Sequence, residues 1–256
     1  MHIGRVLRTL LVAAVVLGAA LAARADRLTL WHIVHDQCAA DFARSSDPAP
    51  CLAVRPDGGK DRGYAVLKDL RGATQFLLIP TSRITGIEDP AVLAPEAGNF
   101  FADEWRAIGI VAETAHANLP RDDLSLAINA QTGRSQDQLH IHMDCVRADV
   151  RDALHRAAGS IGRSWTPLAE ELGGHEYRAM RIDGDSLDAA NPFRLLADES
   201  PDTAAEMGLH TLVVVGMTFA EGAPGFVLLD GRSDLLHGDL GNGEGLQDHN
   251  CAVAQQ

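Results

Sequence analysis

The segment Gln138-Leu-His-Ile-His-Met-Asp-Cys constrains this chain more than any other. Polar and apolar residues alternate along it, and that is the period of a half-buried β-strand. Leu139, Ile141 and Met143 would face a core, and Gln138, His140 and His142 would share the opposite face. On a strand the two imidazoles stand about 7 Å apart. A pair so placed suits a nucleophile with an assisting acid or donor, and it equally suits two metal ligands. A strand of this kind needs neighbours, and the chain supplies them. Tyr64-Ala-Val-Leu-Lys-Asp-Leu and Gln75-Phe-Leu-Leu-Ile-Pro read as a hairpin turning at Arg71-Gly-Ala-Thr, and Leu124-Ser-Leu-Ala-Ile-Asn reads as a further strand. Thr211–Phe219 and Gly225–Leu229 are β-prone runs separated by a Gly/Pro turn.

Helical spacing appears in four places. Arg27–Gln37 carries Leu28, Leu30, Trp31 and Val34 on one stripe, and Asn99–Ala117 has the pattern of one amphipathic helix of about five turns. Ala148–Ala158 buries Val150, Leu154 and Ala157, and Asn191-Pro192 opens a helix with an N-cap and a first-turn proline. Cys38–Arg62 is rich in Pro, Gly, Ser and Asp and reads as loop. These elements predict an α+β fold with a mostly antiparallel sheet, helices packed on it, and a β-rich C-terminal part.

The N-terminus has the layout of an export signal. Arg5 and Arg8 precede an apolar run, Thr9–Ala23, and Ala23-Arg-Ala25 resembles a cleavage site. The run is shorter than the roughly 20 residues that span a bilayer comfortably. Residues 1–25 are therefore a cleaved signal peptide or a short membrane anchor. Either places the body outside the cytoplasm, on the periplasmic side of a bacterial inner membrane. Four cysteines, an even set, fit an oxidising compartment. Cys38 and Cys51 flank one short loop and are paired here; Cys145 and Cys251 then join the C-terminal tail to the histidine strand. No Cys-x-x-Cys spacing supports a zinc site. The formal charge of −13, more negative still without Arg5, Arg8 and Arg24, argues against nucleic-acid binding.

The loop leading into the histidines, Ala130-Gln-Thr-Gly-Arg-Ser-Gln-Asp, offers backbone N–H groups, the Ser135 hydroxyl and the Arg134 guanidinium, and the Asn129 amide precedes it. Such donors suit phosphate oxygens. Lys68 and Asp69, beside the first hairpin turn, are candidate contacts to phosphate or sugar, and Arg83 is a further cation within reach of a phosphate. His32, His35 and His249 read as packing or structural residues, and the acidic run 183–188 as a solvated loop.

Leu126-Ala-Ile-Asn through Ser135 to Leu139-His-Ile-His-Met resembles the active-site hairpin of the histidine triad (HIT-like) superfamily. The resemblance covers residues 62–158, between a helix and disulfide loop at 26–61 and an extension of the same domain at 159–256. Leu30-Trp-His-Ile-Val, Asp47-Pro-Ala-Pro-Cys, Gly63-Tyr-Ala-Val-Leu-Lys-Asp and Leu246-Gln-Asp-His-Asn-Cys extend it over nearly the whole chain, where it is most similar to the CDP-diacylglycerol pyrophosphatase family. The resemblance implies a hydrolase acting on a phosphoanhydride, with no cofactor or metal. It implies His140 as nucleophile, His142 as its assistant, Asn129 and Ser135 at the phosphates and leaving group, and Asp69 at the ribose. The substrate would be CDP-diacylglycerol at a membrane surface, cleaved to CMP and phosphatidate. Gln138 stands where the first triad histidine is expected; it hydrogen-bonds but supplies no imidazolium proton. Two other readings stay open: a hydrolase or transferase of soluble nucleotide anhydrides, and a periplasmic metal-binding protein built on His140 and His142.

Overall fold

The computed structural model describes residues 27–56 and 63–255; the export or anchor segment lies outside them. The first helix, α1, covers 29–45 and includes a π-helical stretch, His32–Ala39. Strands β1 (Ala53–Arg55), β2 (Tyr64–Lys68) and β3 (Phe76–Pro80) follow. Two helices, α2 (Phe100–Ala107) and α3 (Gly109–Ala115), lead to β4 (Leu124–Ile128) and β5 (Ile141–Val146). Then come α4 (Ala148–Ala157), β6 (Thr166–Pro167), β7 (Tyr177–Asp183), α5 (Pro192–Ala197), β8 (His210–Thr218), β9 (Pro224–Arg232) and β10 (Gln247–Asp248).

The strands form one ten-stranded sheet in the order β1-β2-β3-β5-β4-β8-β9-β7-β6, with β10 pairing the end of β5. Every pairing is antiparallel. The α+β expectation holds, and β8 continues the sheet directly from β4 through Ala127↔Val213 and Ile128↔Leu212.

Three expectations are corrected. Cys38–Arg62 is not all loop: α1 runs on to Ser45 and stops where Ser46 turns left-handed, at φ 60°. Ala39 and Ala40 favour helix, and Val34 and Cys38 are anchored against Val54, Ala65, Leu77 and Ile79. A short strand, β1, then pairs with β2. The single helix expected over 99–117 is two. Asn99 caps the first of them, its Oδ1 accepting from the Ala102 N–H at 3.2 Å. The break falls at Ile108–Gly109, and glycine is the weakest helix former after proline. The bend lets Ile108 and Val111 both reach the core. Finally, the ladder of the histidine strand begins at Ile141 and not at Gln138. The Leu139 N–H bonds the Ile84 carbonyl at 2.6 Å, because β3 ends at Pro80, which has no N–H to continue the pairing.

Both disulfides are as paired from the sequence, Cys38–Cys51 and Cys145–Cys251. On one face of the sheet, Leu78, Met143, Leu126, Val214 and Leu228 pack under α2, α3 and α5. The other face is covered in two patches. The first helix packs on β1, β2 and β3, and α4 packs on β4, β8 and β9. The polar face of β5 lies between them.

Candidate active site

His140 stands one residue before β5 and is buried. Its Nδ1 is 2.7 Å from the Gln138 carbonyl oxygen. A carbonyl can only accept, so Nδ1 carries the proton and donates it, and Nε2 keeps its lone pair. Burial, helped by the neighbouring His142, pushes the His140 pKa down to about 4. The ring is therefore neutral at ordinary pH, which is the nucleophilic form.

His142, one step along the same face, places its ring centroid 5.0 Å from that of His140. Its Nδ1 lies 3.0 Å from a Glu244 carboxylate oxygen and 3.0 Å from the Gln75 amide nitrogen. Its Nε2 is buried and has no hydrogen-bond partner among the described residues. A buried nitrogen left unpaired costs about 1–3 kcal/mol, so this atom gains by meeting an oxygen of a ligand. Burial lowers the His142 pKa to about 4, while the Asp69 charge pulls the other way.

The stripe continues to Asp144, fully buried, which accepts from Thr74 Oγ1 at 2.6 Å and pairs with His249 Nδ1 at 2.8 Å. The hydrogen bond to Asp144 raises the His249 pKa, against the effect of burial. Gln247 ties the C-terminal segment to β5: its amide donates to the His142 carbonyl at 3.0 Å and to the Ser125 carbonyl at 3.1 Å. Glu244, Gln247 and His249 therefore reach the histidines from the far end of the chain. The alternation 138-140-142-144 offered a signal for Asp144. Glu244 had none; His249 lies in the Leu246–Cys251 segment that carries the resemblance but reads there as structural, and the return of the chain along β10 and the Cys145–Cys251 bond bring both here.

The sequence-derived residues are placed as follows. A small cleft beside His140 is lined by Asn129, Arg134, Gln138 and Gly86. Asn129 Oδ1 accepts from the Glu244 N–H at 3.1 Å; its Nδ2 makes no hydrogen bond among the described residues. Arg134 is buried and forks onto Glu88, with both N–O distances 2.6 Å. A Cβ on Gly86 would collide with that guanidinium. Ser135 is exposed on the loop, outside the lining of the cleft. Gln138 is fully buried and spends its amide on the neighbouring chain: Nε2 donates to the Pro80 and Ser82 carbonyls at 3.0 and 2.9 Å, and Oε1 accepts from Arg83 at 2.9 Å. It clamps the segment after β3 while its own carbonyl orients His140. Arg83, a cation considered for phosphate, makes that contact and another to the Asp137 carbonyl. At the other end of β5, Asp69 Oδ1 accepts from the Arg71 N–H at 2.8 Å, and Lys68 Nζ donates to the Asp69 and Gly72 carbonyls at 3.0 and 3.1 Å. These contacts brace the hairpin turn and keep Asp69 near enough to act on His142. His32 and His35 pair with Asp36 on the surface of α1. Among the described residues no group of three or more His, Cys, Asp or Glu is placed to hold a metal ion, and no helix is long and apolar enough to cross a membrane.

A neutral imidazole with a fixed tautomer, beside a second imidazole whose outer nitrogen is unpartnered, is chemistry for attack on phosphorus. Residues 25–255 match the model of the family described as CDP-diacylglycerol pyrophosphatase. A relative from Yersinia pestis, named CDP-diacylglycerol pyrophosphatase, is 41% identical over 224 residues, which is 88% of this chain and 84% of the relative. The chain belongs to the CDP-diacylglycerol pyrophosphatase family.

Proposed function

We propose that this chain hydrolyses the pyrophosphate bond of CDP-diacylglycerol, giving CMP and phosphatidate, in two transfers through His140. The observation that carries the mechanism is the hydrogen bond from His140 Nδ1 to the Gln138 carbonyl, which leaves Nε2 as the free nucleophile. In the first transfer Nε2 attacks the phosphorus bearing cytidine. A P–N bond forms, the P–O bond to phosphatidate breaks, and the leaving oxygen keeps the electron pair. The ring is now cationic, and the Gln138 carbonyl accepts its remaining N–H. In the second transfer water attacks the same phosphorus, Nε2 departs as neutral imidazole, and the water proton passes to solvent. One hard displacement becomes two easier ones.

The other residues meet the charge on phosphorus. An anionic substrate favours protonation of His142; Nδ1 then gives up the Gln75 amide as its donor and donates instead to Glu244, and Nε2–H donates to a phosphate oxygen. Asn129 Nδ2 is a second donor, and Ser135 serves the leaving-group side. Donors of this kind contribute roughly 3 kcal/mol each. Asp69 accepts from the ribose hydroxyls, with Lys68 holding its turn in place. Arg134, charge-balanced by Glu88, shapes the cleft, and Gln138 aims the nucleophile. Phosphatidate is a good leaving group, so the absence of an acid at position 138 costs little. The substrate lies in a bilayer, and the apolar run Thr9–Ala23 supports export and work at the membrane surface, on the periplasmic side. The two disulfides fit an oxidising compartment.

The test is turnover of CDP-diacylglycerol labelled on the cytidylyl phosphorus, quenched in the steady state. Label on His140 in the mapped peptide is the expected result, and label on another residue overturns the assignment. Equal or faster turnover of soluble nucleotide anhydrides would contradict the lipid substrate.

A further inference from the structure

Five large apolar side chains are strongly exposed among the described residues, and three of them, Leu235, Leu236 and Leu240, lie within one loop after β9. Leu236 is 94% exposed. The loop that carries them is closed on itself. Asp234 and Asp239 exchange backbone hydrogen bonds, each 2.9 Å, and Asp234 Oδ1 accepts from the Leu236 N–H at 3.0 Å. The leucines are thus held out in water by a short tied loop, an arrangement uncommon on monomeric soluble proteins unless the surface binds something.

The loop's position says what it meets. The Leu240 carbonyl accepts from Thr132 Oγ1 at 2.8 Å and the Gly241 carbonyl from the Ala130 N–H at 2.9 Å. The leucines therefore stand beside the loop that delivers His140, and three residues past Gly241 the same segment supplies Glu244. The N-terminal end of the described chain arrives at this place too. The Arg27 carbonyl accepts from the Asp137 N–H at 2.8 Å, and Arg27 Nε donates to Asp137 Oδ2 at 2.8 Å. Arg27, where the described chain begins, is thus held at the loop leading to the nucleophile. The other two exposed leucines, Leu52 and Leu70, sit at the opposite end of these strands. Leu70 lies in the turn between β2 and β3, at the Phe76 end of β3, which pairs with Met143 and not with the His140 end of β5.

We propose that the 234–240 loop is a bilayer-docking element that sets Leu235, Leu236 and Leu240 into the lipid interface next to His140. This rests on the lipid substrate assigned above. Docking there lets the pyrophosphate reach the histidines while the acyl chains stay in the bilayer. Asp234 and Asp239 bracket Leu235 and Leu236, and His237 between them is paired with Asp234, so the contact is apolar and does not depend on anionic headgroups. The partner is a lipid surface that is zwitterionic or only weakly charged.

The test uses the full chain with phosphatidylcholine vesicles whose acyl chains carry bromine. Leu236→Trp is expected to lose about half of its added emission to bromine quenching, and Leu70→Trp, at the opposite end, to lose little. Equal quenching of the two, or stronger quenching of Leu70→Trp, overturns the proposal. A second readout separates docking from folding and from the substrate assignment. Leu235→Ser/Leu236→Ser should turn over long-chain CDP-diacylglycerol in vesicles about tenfold more slowly and hydrolyse a dispersed short-chain CDP-diacylglycerol at the parent rate. An equal loss on both substrates overturns docking. Failure of the parent itself on the short-chain substrate would count against the lipid reaction and leave the quenching result standing.

Discussion

Two neighbouring rows of side chains cross the same strands and differ completely in purpose. The row through Met143 contains Phe76, Leu126, Val214 and Leu228, all buried and apolar. The row through His142, one residue away, contains Leu77, Ala127, Val213 and Leu229. It is just as apolar on both sides of β5, but β5 itself supplies an imidazole. The first row lies under helices along its length. The second is covered by α1 on one side and α4 on the other, with β5 in the gap. The polar residues that β5 and its lead-in present there, His140, His142 and Asp144, form one stripe that none of the described helices covers, and the C-terminal segment comes in to serve it. One face holds the fold together, and the other holds it together everywhere except along the strand that does chemistry.

Substitutions should break that division in different ways. His140→Ala is expected to lower kcat by about 10⁴-fold or more, by steady-state assay, with an unfolding midpoint close to that of the parent. Removing Cys145 and Cys251 together should cost about 4–5 kcal/mol in denaturant unfolding, since the bond closes a loop of 106 residues. Activity should fall with it, because the same bond holds the segment carrying Glu244 and His249. On the apolar face, Leu126→Ala should cost about 2–5 kcal/mol in stability and leave kcat per folded molecule nearly unchanged.

Glu244→Gln sharpens the contrast. It should lower kcat about 10²-fold with little change in stability, because the loss falls on the charge that steadies His142. The smallest effect belongs to an exception on the apolar face. Glu104 is fully buried, neither carboxylate oxygen meets hydrogen-bond geometry with a partner among the described residues, and burial pushes its pKa well up against a weaker opposing pull from the Leu78 backbone. A raised folded-state value makes the protein less stable as pH rises above the ordinary glutamate range. Glu104→Gln should remove that slope and gain about 1 kcal/mol at pH 8 relative to the parent, measured by thermal or denaturant unfolding at pH 5 and pH 8.

These regions were not equally legible in the sequence. The strands around β5 and the β8–β9 hairpin are set by local alternation and turn residues, and both were readable. The two histidines were visible for the same reason. Arg134 shows where local reading stops: it looks like a free cation beside a phosphate loop, but Glu88, 46 residues away, takes both arms of its guanidinium. Gln138 shows the same limit. Its type invited comparison with a missing histidine, while its work is to fasten the chain at Pro80 and Ser82 and to offer a carbonyl to His140. Glu244 and His249 reach β5 only through the fold, Gln247 and His142 being 105 residues apart in sequence. Nothing along the chain marks Glu244 as a site residue, and the resemblance over Leu246–Cys251 gives His249 no role at the histidines.

The central claim is that His140 forms a bond to the cytidylyl phosphorus. The stereochemical course at that phosphorus tests it without requiring the intermediate to accumulate. With CDP-diacylglycerol made chiral at the cytidylyl phosphorus by sulfur and hydrolysed in ¹⁸O-labelled water, two successive in-line displacements give CMP thiophosphate with net retention. Retention is the result this account predicts. Net inversion would show that water attacks the substrate directly and would contradict it.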